Sequence, residues 1–72
     1  MDMKQQIMVW VSQIDEIQKQ LSEHWSMVQQ SVGAGDSDKA ITLLNAYFRL
    51  KTKLEGVEAQ LRSLLHGYFS DK

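Results

Sequence analysis

The chain has 72 residues, no cysteine, no proline and a formal net charge of -1. A chain this short is at most one domain, near the size at which a single core supports itself, and without cysteine it has neither disulfides nor thiolate metal sites as a staple. The balance of nine acidic against eight basic side chains lacks the basic stripe of a nucleic-acid or anionic-membrane binder.

From the N-terminus, residues 7–11 (IMVWV) are the longest apolar run. It is too short for a signal-peptide core or for the roughly 20 residues of a membrane span, so the chain reads as soluble, with no membrane insertion. Through residues 3–32, Met3, Ile7, Trp10, Ile14, Ile17, Leu21, His24 and Val28 alternate steps of four and three. This is one heptad seam and predicts a helix.

Residues 33–37 follow as a Gly-rich turn. Gly33 or Gly35 suits the left-handed close of the first helix. Asp36, Ser37 and Asp38 are three candidate caps for the second. Over 38–69 a second seam reads Ala40, Leu43, Tyr47, Leu50, Leu54, Val57, Leu61, Leu64 and Tyr68. The short connection folds the helices antiparallel, giving an all-α, two-helix hairpin in a single domain.

Two helices facing each other leave each seam half covered, so a hairpin of this size calls for a further helical surface, supplied by a partner or by oligomerisation. A second row on the last helix, Ile41, Leu44, Phe48, Lys51, Glu55, Glu58, Arg62, Leu65 and Phe69, is apolar at both ends and charged in the middle. In an antiparallel hairpin the apolar 7–11 stretch lies beside 64–69. The open end is therefore expected to be the main partner-binding surface, through Ile7, Trp10, Val11, Leu64, Leu65, Tyr68 and Phe69, with aromatic side chains of the type that dominates interfaces. A smaller second patch, containing Trp25, Val28, Val32, Ile41, Leu44 and Phe48, is expected at the turn end.

No constellation for catalysis, cofactor binding or metal binding emerges. His24 and His66 fall far apart along the hairpin, and His24 sits in the seam, where a local hydrogen bond accounts for it. No Glu-x-x-His pair occurs. Asp36-Ser37-Asp38 lacks the glycine and distal glutamate of a calcium loop, and capping explains it. Asp15-Glu16 and the Glu55/Glu58 pair fall on exposed faces, where Glu55 with Lys51 and Glu58 with Arg62 are at ion-pair spacing. Gly33-Ala34-Gly35 lacks the lysine of a phosphate-binding loop. Gly56, in the helix interior, joins Thr52, Ala59 and Ser63 in a stripe of small residues, read either as a close-approach groove or as a tolerated surface glycine.

The hinge VGAGDSDKA and the second-helix stretch KLEGVEAQLRSLLHGYFSDK, ending in an aromatic-containing apolar patch before Asp71 and Lys72, resemble the small co-chaperones of type III secretion needle subunits, the YscE/EscE type. The likeness covers most of the chain as architecture and residues 33–72 as sequence; the two tryptophans and the IMVWV run depart from that family's pattern. The resemblance implies a non-enzymatic cytoplasmic protein that pairs with a tetratricopeptide-like chaperone and, with it, holds a needle subunit unpolymerised before export. It carries over no catalytic residues. The alternative from the residues alone is a homodimeric four-helix bundle serving as a structural or regulatory adaptor.

Overall fold

In a computed structural model, which describes residues 2–70, the chain forms two helices, α1 (Met3–Gly33) and α2 (Ser37–Ser70). They pack side by side as an antiparallel hairpin. At about 1.5 Å per residue, 31 and 34 residues give rods of roughly 46 and 51 Å, and the molecule measures 55 × 16 × 15 Å. The radius of gyration is 16.4 Å, against about 11 Å for a compact domain of this length. No strand occurs among the described residues, and none of their helices is long and apolar enough to cross a membrane.

The heptad seams form the inter-helix contact. Ile7, Ile17, Val28, Ala40, Leu54 and Val57 are buried. Ile17, Leu54 and Val57 form a cluster at mid-length, with Trp10, Ile14 and Leu21 packed against it. Every other seam residue of α2 is half-buried, while Met3, first in the α1 seam, is exposed. The α1 seam continues one step beyond Val28, to Ser31, which is buried although polar. Its hydroxyl donates to the Met27 carbonyl oxygen at 2.9 Å, which removes the desolvation penalty of an unpaired hydroxyl.

The turn is tighter than 33–37. Gly33 ends α1 and Ser37 begins α2, so three residues connect them. Gly35 is left-handed, with φ 74°. The Gly35 amide donates to the Val32 carbonyl and the Asp36 amide to the Ser31 carbonyl, at 3.1 and 2.9 Å. This is the paired bonding of a Schellman close, in which glycine takes a φ that other residues adopt at a cost. The cap of α2 is Asp36: its carboxylate accepts from the Lys39 amide at 3.2 Å and its carbonyl from the Ala40 amide at 3.0 Å. One residue thus closes the first helix and opens the second, and Ser37 and Asp38 are already inside the first turn. At the other end Asp2 caps α1, accepting from the Lys4 amide at 2.7 Å.

Candidate interaction surface

The residues expected to meet a partner divide into three groups. Ile7 is 8% exposed and belongs to the inter-helix seam; facing α2, it offers a partner almost no area and is withdrawn from the surface. Trp10, Val11, Leu64, Leu65 and Tyr68 are half-buried, each presenting an edge. Trp25, Phe48 and Phe69 are exposed.

The open end is also less continuous than its sequence implies. Met8 and Val9 are exposed, but the depression they line is built from α1 alone, with Ser12, Gln13 and Glu16. Leu65 and Phe69 line another, with Arg62, His66 and Ser70 of α2. The helical turn separates neighbours in the IMVWV run by about 100° each, so a run that is apolar in sequence is spread around the rod.

The turn end is the more coherent of the two. Val28, Val32, Ala40, Ile41 and Leu44, with Gly35 and Ser37, line a shallow depression bridging both helices. Val32 and Ile41 are 66% and 58% exposed. Beside it the Trp25 ring of α1 lies 5.5 Å from the Tyr47 ring of α2, and Tyr47 in turn makes an edge contact with Phe48. Phe48 and Trp25 nevertheless keep about half of their surface in solvent, at 54% and 46%.

These features share one face. Ile14, Gln18, Glu58, Leu61, Arg62 and Leu65 line a further depression along the same junction. Gln18 is thereby on the same side as Arg62 and Leu65, and Val32 on the same side as Ile41 and Leu44. Val11, Gln18, Trp25 and Val32 recur every seven residues, so they form one edge of α1. The face runs the length of the molecule, with apolar groups at both ends and Lys51, Glu55, Glu58 and Arg62 between them, all four exposed.

Among the described residues no buried side-chain polar atom lacks a hydrogen-bond partner. His24 is half-buried with Nδ1 2.9 Å from the Gln20 carbonyl oxygen, which assigns Nδ1 as the donor. His66 is exposed. Among the described residues no three of His, Asp and Glu converge on a possible metal position. Thr52, Gly56, Ala59 and Ser63 are exposed, and nothing lies within 4 Å of where a Gly56 Cβ would stand. Asp71 and Lys72, which end the stretch that resembles the co-chaperones, lie outside the described residues.

Ser31 is buried although no apolar side chain marks it in the sequence. Its position three after Val28 was the available signal, masked by the polarity of the hydroxyl. No protein-family model, curated protein or solved structure matches the chain.

Proposed function

We propose that this protein is a small non-enzymatic adaptor that binds partner proteins through the long face of its hairpin. The observation carrying this reading is the area left uncovered. Its accessible surface is 5400 Å², whereas a compact monomer of 8.3 kDa exposes about 4600 Å². The excess, about 800 Å², is close to one partner's share of a standard interface. Large apolar side chains contribute to it at both ends of the rod.

Within that reading, the resemblance of the hinge and second helix to needle-subunit co-chaperones supports a specific role. The protein pairs in the cytoplasm with a tetratricopeptide-like chaperone, and together they keep a secretion needle subunit from polymerising. A stack of paired helices is the surface that such a hairpin would extend. The competing reading is a homodimeric four-helix bundle, favoured by the apolar patches at the two ends of one face, which a second antiparallel copy would cover.

Co-expression with a tetratricopeptide-like chaperone and a needle subunit encoded beside it, followed by sedimentation and thermal melting, tests the proposal. The expected result is a weakly associating chain alone and a discrete, more heat-stable complex with the partners. A sharply melting monodisperse monomer that ignores both would falsify the adaptor reading. A tight dimer of about twice the chain mass favours the bundle.

A further inference from the structure

The outer row of α2, exposed except for the half-buried Leu44 and Leu65, is a chemical palindrome. Leu44, Phe48, Lys51, Glu55, Glu58, Arg62, Leu65 and Phe69 are spaced by steps of four and three that read the same from either end. About the midpoint between Gly56 and Val57, Leu44 mirrors Phe69 and Phe48 mirrors Leu65. Lys51 likewise mirrors Arg62, and Glu55 mirrors Glu58. The order is apolar, basic, acidic, acidic, basic, apolar.

A two-fold axis across the rod sets this row against its own copy in one way. A second copy laid antiparallel on this face, in the register that stacks the apolar ends, places Lys51 against Arg62 and Glu55 against Glu58, each twice. Like charges set opposite one another oppose association. Sliding the copies to relieve the charges moves the apolar ends out of register. Where α2 packs on α2, the row therefore selects against its own copy and for a complementary helix.

We propose that this face receives a helix of a different chain, apolar at both ends and carrying the central order acidic, basic, basic, acidic. Reaching from Ile41 to Phe69 takes about 28 residues, or roughly 42 Å of helix. A palindrome gives such a helix no preferred direction along α2. Direction is set by α1, whose edge offers Trp25 and Val32 at the turn end but the smaller Val11 at the open end. This inference rests on the adaptor reading and specifies the partner it requires.

The probe is a synthetic helical peptide of about 28 residues with leucines at its ends and Glu, Lys, Lys, Glu at the four central positions, in the same four-three spacing. A control peptide carries Lys, Glu, Glu, Lys. Binding of each labelled peptide to the full chain is read by fluorescence anisotropy. The complementary peptide is expected to bind about ten-fold more tightly, with the preference shrinking as salt is raised. The variant K51E/E55K/E58K/R62E, with its helicity checked by circular dichroism, is expected to invert the preference. Equal binding of the two peptides, or binding of neither, overturns the inference. If the chain alone still associates weakly and is stabilised by its protein partners, that failure leaves the adaptor reading standing; a self-sufficient monomer ends the adaptor reading itself.

Discussion

At the turn end, the helices are joined by three residues whose amides and carbonyls close one helix and start the next, and Val28, Ser31 and Ala40 are buried immediately behind them. At the open end no connection joins the helices; among the described residues there Ile7 is the one buried side chain, and Asp2 caps α1. Both ends expose large apolar groups: Trp25, Val32, Ile41 and Phe48 at one, Met3, Met8, Val9 and Phe69 at the other. The difference is in what holds them. Apolar surface on a braced scaffold needs little further ordering to bind, whereas surface on helix ends with no connection between them loses more conformational freedom when a partner fixes it. The turn end is accordingly the stronger anchor, although residues 7–11 and 64–69 draw the eye in the sequence.

Several substitutions separate the two ends. The largest effect is expected from Ile17→Ala, in the cluster between them. It removes about 2–4 kcal/mol of stability and uncouples the open end from the braced half, read as a lower melting temperature and faster amide exchange over 3–14 and 60–70. For association, Phe48→Ala is expected to weaken partner binding more than Phe69→Ala, and both more than Lys53→Ala; equal effects from all three would remove the face from consideration.

The caps give a matched pair. Asp36→Ala costs about 1 kcal/mol in urea unfolding, while Asp2→Ala is expected to cost less, about 0.3 kcal/mol, because no inter-helix connection braces the first turn of α1 against local opening. Equal losses would mean that the open end is as firmly held as the turn. Opposite in sign to each other are two glycine changes. Gly35→Ala destabilises by about 1 kcal/mol through its left-handed backbone. Gly56→Ala stabilises by about 0.5–1 kcal/mol, since helical propensity favours alanine and the space around it is open.

The fold was legible because a four-three pattern of Ile, Leu, Val and aromatic residues has few other ways to be buried, and a proline-free chain lets both helices run unbroken. The turn was legible as a location but not in detail. Three consecutive residues had capping side chains, and the choice fell to Asp36 only because the left-handed Gly35 aims the chain there. The surface was harder to read. Ile7 and Met8 are adjacent and both apolar, yet one is buried and the other 53% exposed, a distinction set by helical rotation rather than by residue type. Ser31 shows the converse, a polar residue buried because its own helix supplies the acceptor.

The three-residue connection also carries a consequence for how the molecule comes together in time. Closing a loop costs less entropy the shorter it is, so contacts beside Gly35 form at little cost, and each later pair of turns is brought close by the pair before it. Folding is expected to start where Val28 meets Ala40 and to zip outward past Leu54 and Ile17, reaching Ile7 and Leu64 last. Truncating Val28 to alanine should then slow refolding, while truncating Leu64 should leave refolding nearly unchanged and speed unfolding. A chain emerging from synthesis would present its finished turn end while the two tips were still apart, leaving an interval in which a partner could enter between them.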